Sequence, residues 1–296
     1  MSHHDDHDQE QPRPDLRPFF CLPYWTAALQ PGGTWDTGEQ RPLPPQVVSW
    51  LSPAIVAGPY RPGETLEVAV QVRNSGDGNS PSIATVIVYW ADPTVGFATP
   101  EFFGATTVAV PPARTSPLTV TTPTMRRTIP ASAPDHICLL AAVHHQQDRA
   151  GTVCDPVGDR HWAQRNLTAV TAHPGAPAMI AFDLANPSAD DGEFMLIVRR
   201  AELSAVVPLA AEFGVAELSE VPAVVTLHGP DGRPLTDPMR ELTHHLFLAA
   251  HERVRVELAV EPEGEIPAHT AVVAEAVVMA DEERPVGSLG FVLRGE

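Results

Sequence analysis

The 296-residue chain is 43% hydrophobic and 19% charged, a globular balance in a length that accommodates two cores, and its 32 prolines, roughly double ordinary usage, disfavour helices. A formal net charge of −18 sets a repulsive field against phosphate backbones and anionic bilayers, which argues against nucleic-acid and membrane partners. All 19 cationic residues are arginine, so Schiff-base chemistry, a P-loop lysine, the strand lysine of protein kinases and a lysine general base are excluded.

The chain opens on the acidic, His-rich run Met1 to Asp8, which has no cationic n-region and is followed by no apolar h-region, so classical secretion is unsupported and a cytoplasmic location is expected. Up to residue 45 the sequence is punctuated by proline, and Phe19, Phe20, Tyr24, Trp25 and Trp35 lie among turn formers without a period of 2 or 3.6. Such a segment reads as an arm that cannot build its own core. It must lie either on the first domain of its own chain or on a partner.

Regular structure is expected from residue 46. A short strand is predicted at Val47 to Leu51, and in Leu66 to Val72 every second residue is a large aliphatic, which gives one buried strand face. The turn formers Asn74 to Pro81 precede a second extended run, Ile83 to Trp90. Further strands are predicted at Thr106 to Val110, Leu118 to Thr122, Ile137 to His144 and Trp162 to Val170. The run Ile137 to Val143, apolar at every position, is expected to be a central strand covered on both faces.

Residues 172–177, rich in proline and glycine, read as a linker between a first domain at 46–172 and a second at 173–296. In the second, strands are predicted from Ala178, with Ile180, Phe182 and Leu184 on one face, then at Phe194 to Arg199, Ala223 to Leu227, Leu246 to Leu248, Arg253 to Val260, Thr270 to Met279 and Gly290 to Leu293. A short helix is the expectation for Ala201 to Glu220. Short strands separated by turn signals predict an all-β protein of two tandem immunoglobulin-like antiparallel sandwiches.

The stretch from Pro62-Gly63-Glu64 through Asn74-Ser75-Gly76 resembles the opening of the bacterial immunoglobulin-like repeats called CARDB, and Trp162 to Val170 is similar to a terminal strand of that class. The resemblance implies a binding or spacing module. It carries over no catalytic residues, and the second domain departs from it at Ala250-His251-Glu252, where such folds often have a Pro-Gly-Glu turn.

Few residue groupings point to chemistry. His144 with His145, and His244 with His245, fall on neighbouring strand positions whose side chains point to opposite faces, so neither pair chelates one ion. His144, His145, Asp148, Cys154, Asp155, Asp159 and His161 are candidates to converge at one end of the first domain, but their spacing matches no usual zinc pattern. His3, His4 and His7 in the tail are a weak flexible chelator at most. The loop Asn186 to Gly192 fails as a calcium loop, because its glycine is one place late and Ile197 stands where a bidentate glutamate belongs. Asn166-Leu167-Thr168 is formally a sequon, and a Cys138 to Cys154 bridge stays open on sequence alone.

The expectation is therefore a non-catalytic structural or protein-interaction protein without cofactor or metal. Its sandwiches would be rigid spacers, with Phe19, Phe20, Tyr24, Trp25 and Trp35 as the contact residues for a protein partner or for self-assembly, including in a phage-like bacterial particle. The alternative is an enzyme or metal-dependent accessory protein whose site lies at the His-rich end of the first domain.

Overall fold

The computed structural model describes residues 15–26, 34–44, 47–96, 100–114, 119–167, 170–171, 176–201, 217–280 and 285–295. Among them the regular structure is entirely β. In chain order, the first part contributes β1 (Phe20–Cys21), β2 (Ile55–Ala57), β3 (Thr65–Asn74), β4 (Ser82–Ala91), β5 (Thr94–Val95), β6 (Glu101–Val110), β7 (Val120–Thr121), β8 (Met125–Thr128), β9 (Cys138–His144) and β10 (Trp162–Asn166). The second contributes β11 (Val170–Thr171), β12 (Ala178–Ala185), β13 (Gly192–Arg200), β14 (Glu217–Leu218), β15 (Ala223–His228), β16 (Leu242–Leu248), β17 (Arg253–Pro262), β18 (Thr270–Met279) and β19 (Pro285–Arg294).

In the first sandwich β3 gathers β1, β2, β7 and β8 into one sheet, and the other runs β10-β9-β4-β6. The alternation in β3 does what its sequence requires: Leu66, Val68, Val70 and Val72 are buried and meet Ala84, Val86 and Val88 from β4 in one core. Phe20, Tyr24 and Trp25 of the arm belong to that same core, and β1 adds a short antiparallel pairing to the end of β3, Phe20 opposite Asn74.

The second sandwich consists of the sheet β11-β19-β18-β13-β16, with β14 also on β18, and the sheet β15-β17-β12-β5. Strand pairing crosses the boundary expected at residue 172, since β11, which precedes it, pairs with β19 of the second sandwich. β5 leaves the first sandwich to pair in parallel with β12, Thr94 opposite Asp183 and Val95 opposite Leu184. Gly96, at φ 80°, follows directly, where a side chain would collide with the carbonyl of Ala185.

β9 explains why its sequence is apolar throughout. Leu139, Ala141 and Val143 enter the first core, while Cys138, Leu140 and Ala142 enter the core of the second sandwich together with Phe182, Leu196 and Phe291. The strand is covered once by its own sandwich and once by the neighbouring one. Two local expectations differ from the structure. Val47 to Leu51 makes no strand beyond a single bridge from Leu51 to Arg165, because Trp50 turns into the joint between the sandwiches. The helix expected at 201–220 falls mainly on 202–216, outside the described residues, and Glu217–Leu218 beyond them is strand.

Candidate functional site: the docked arm and the joint between the sandwiches

The five aromatic residues expected to meet a partner have different fates. Phe20, Tyr24 and Trp25 are buried in the core of the first sandwich, Phe19 is half-buried under the Arg160 guanidinium at 3.7 Å, and Trp35, 39% exposed, lies against Arg73. The reading of all five as partner contacts is corrected here for the buried three. A side chain at zero or near-zero exposure cannot reach a partner without first losing its apolar burial.

The arm is held by polar contacts as well. Tyr24 N–H donates to Asp36 Oδ2 at 2.8 Å, and that carboxylate forms a buried ion pair with Arg41 at 3.0 Å. Arg41 in turn lies over the rings of Tyr24 and Trp25. Tyr24 Oη donates to the carbonyl of Ser49 and accepts from Gln164 N–H, both at 3.0 Å, so an arm residue fixes the chain where the two sandwiches meet.

Of the His-rich cluster, the fold brings together Asp148, Asp159 and His161. His161 is buried, with Nε2 at 3.0 Å from Asp148 Oδ1 and Nδ1 at 2.6 Å from Asp159 Oδ1. Burial opposes its charged form, but the two carboxylates outweigh it and raise the imidazole above its ordinary value. Burial likewise works against both carboxylates, yet the hydrogen bonds from His161 leave them below the usual range. Asp148 also pairs with Arg160 and accepts the backbone N–H of Phe20 at 2.5 Å, so the network fastens the arm.

The other members serve elsewhere. Asp155 Oδ1 caps its own turn at Gly158 N–H, 2.7 Å, and the His145 ring packs edge-on against Phe20. Cys154 faces the second core, and burial holds its thiol well above the usual range. Among the described residues no group of three or more His, Cys, Asp or Glu is placed to hold a metal ion. Cys21, Cys138 and Cys154 are free and buried.

The calcium-like loop is satisfied internally: Asn186 Oδ1 accepts Ser188 N–H at 2.9 Å and Nδ2 donates to the carbonyls of Asp190 and Ala249. Asn166 of the sequon is buried and donates across the joint to the Gly290 carbonyl at 3.3 Å, which leaves its amide no access to a glycan.

The joint itself carried no signal in the sequence. Trp50, fully buried, lies on Gly290 of β19, where a side chain would stand inside the ring, and its Nε1 donates to Glu275 of β18 at 3.2 Å. Ser49 and Ser288 hydroxyls meet at 2.5 Å, and Gln164 donates to the Ser288 carbonyl at 2.8 Å.

Two clefts flank the joint. One of about 470 Å³ lies between Cys154 and Asp155 and the Asn186 to Phe194 turn, and it is acidic, with Asp190, Asp191 and Glu193 in its wall. The other, about 560 Å³, runs between Pro42, Leu43 and Pro44 of the arm and Ile197, Val277 and Met279 of the second sandwich. The latter lies on the outer face of β13 and β18, where Met195, Ile197, Val277 and Met279 are half-buried among the charged Glu193, Arg199 and Glu275. Further along the same face, on β16 opposite Glu193, stands Phe247, 64% exposed and not singled out from the sequence, although the alternation in Leu242 to Leu248 places it on the outer face.

No protein-family model matches the chain, and no curated protein matches its sequence. Among solved structures, the CupB6 tip adhesin from Pseudomonas aeruginosa is similar over 80% of this chain and 92% of that one, at 9% identity and a TM-score of 0.23. A Bacteroides uniformis beta-glucuronidase is similar over 83% of this chain but 28% of its own, at 11% identity and a TM-score of 0.26, and CBD12 from CALX1.2 over 74% and 76%, at 9% and 0.21. Likenesses at these scores carry no argument about function.

Proposed function

We propose that this chain is a non-catalytic structural protein that binds a protein partner, with its two sandwiches acting as one rigid spacer and the arm as their internal clamp. The observation that carries the reading is the joint. Shared strand pairing through β5, a core that draws on both sandwiches and the Trp50 contact on Gly290 leave no hinge there, while the aromatic Phe247 stays exposed on the outer face of β16. An exposed aromatic on an unpaired strand edge beside a rigid joint favours binding over catalysis. The contact surface moves accordingly from the arm to the second sandwich. The CARDB-like residues 62–76 support the same role as a spacing module.

A photo-crosslinking residue placed at Phe247, and for comparison at Leu235 on the other sheet, tests this in native lysate. Expected is a specific protein adduct at 247 alone, whether to a second copy of this chain or to another protein. No adduct at 247, or the same products from both positions, refutes the reading.

A further inference from the structure

The long edges of the sheets are not equally protected. The outer side of β15 is covered by the chain at 234–239, which bridges to it at Val225 and His228, and β10 is bridged at Arg165 by Leu51. β6 carries a register shift opposite Val88 and Tyr89, begins at Glu101 and runs into Pro111 and Pro112, all features that blunt an edge. Among the described residues β16 has none of these. It pairs with β13 in unbroken register from Leu242 opposite Val198 to Leu248 opposite Gly192, and it contains no proline and no Asp, Glu or Arg.

The direction of its free backbone groups follows from one hydrogen bond. Ala201 N–H donates to the Val273 carbonyl at 2.9 Å, so on β13 residues 199, 197 and 195 also turn their backbone groups toward β18, and 198, 196 and 194 turn theirs toward β16. Their partners Leu242, His244 and Leu246 therefore face inward. Thr243, His245 and Phe247 direct N–H and C=O away from the sheet, and among the described residues none of these backbone groups has a partner.

We infer that β16 pairs antiparallel with the β16 of a second copy of this chain, about a two-fold axis at His245. This deepens the proposed function by naming one partner, and it rests on that reading. The strand is self-complementary about its middle residue. His245 meets His245 of the other copy and Thr243 meets Phe247, and by the parity above each is a pair that exchanges both its backbone hydrogen bonds. Charge permits it despite the net −18, since no carboxylate or guanidinium stands opposite another in this register. Each exposed Phe247 gains cover from Thr243 of the other copy and from the Ile197 beside that threonine.

The full chain should sediment as a dimer at micromolar concentration and above. Oxidised mildly, His245→Cys should form a covalent dimer, since residues opposite one another in such a pair lie about 5.5 Å apart at Cα, within disulfide reach. Thr243→Cys alone should not, but mixed with Phe247→Cys it should. The native cysteines are buried and give no background. His245→Glu should weaken self-association at least about tenfold by opposing two carboxylates, with unfolding unchanged. A monomer at submillimolar concentration, or cross-linking of Thr243→Cys as readily as His245→Cys, overturns the inference. A heterologous adduct at 247 on a monomer would leave the proposed function standing without it.

Discussion

Phe20→Ala separates an arm that is part of the fold from one that is held ready for a partner. The Phe20 side chain has no exposed surface and contributes to the first core, while its backbone is held by Asp148 and Arg160 whatever the side chain. An aromatic side chain of this kind buries about 200 Å², which at about 25 cal/mol per Å² gives an upper figure near 5 kcal/mol, and phenylalanine-to-alanine changes in cores cost about 3–5 kcal/mol. Trp35→Ala, at a half-exposed ring stacked on Arg73, should cost about 1 kcal/mol or less. Urea unfolding followed by tryptophan fluorescence and by circular dichroism reads both. The two sandwiches share a core, so the probes should coincide in one transition. A loss below about 1 kcal/mol for Phe20→Ala, or equal losses for the two variants, would refute the docked arm.

Asp148→Asn removes the charge that Arg160 and His161 face and should cost about 2–4 kcal/mol in the same assay, with Asp155→Asn, a turn cap, costing about 1 or less. Gly290→Ala drives a methyl into the Trp50 ring and should destabilise by about 1–3 kcal/mol, whereas Gly232→Ala, with open space around it, should lose only the strain of its positive φ. His136 is buried against Phe291 with neither ring nitrogen partnered among the described residues, and burial lowers it from 6.5 to about 4. Its stabilising contribution is complete above its unfolded value and is lost as pH falls from about 6.5 to about 4, about 3 kcal/mol in all, so His136→Phe should flatten that limb of the pH–stability curve. His161 works in the other direction. Raised by its carboxylates, it stabilises fully below its unfolded value and loses that contribution as pH rises through its folded one, so His161→Gln should flatten the limb above pH 6.5.

Local pattern was enough wherever one strand face was dry and the other wet. Leu66 to Val72 and Arg253 to Val260 read correctly because side chains alternate with period 2, and burial on one face leaves that alternation in the sequence. The all-apolar run of β9 showed that both faces would be covered, although not that a second sandwich would cover one. The short strands β1, β5 and β14 left no such trace: two residues carry no period, and their pairing depends on where distant strands come to lie.

The reading of Phe20, Tyr24 and Trp25 as partner contacts gives way for a related reason. Phe20, Tyr24 and Trp25 are large apolar groups in a segment without periodicity, and sequence alone cannot distinguish burial against the chain's own core from burial against another protein. The free edge at β16 is equally a property of assembly, because an edge is defined by which strand is missing beside it.

What the sequence by itself determined was the all-β class, the faces of the long strands, and the exclusion of lysine chemistries, since these follow from local stereochemistry and composition. Only the tertiary structure decided that the arm is core, that β5 crosses into the second sheet, and that Asp148, Asp159 and His161 meet. Those outcomes depend on contacts between residues far apart in the chain, as Phe20 with Asp148 and Trp50 with Gly290, and no local pattern encodes which distant surface a buried side chain will find.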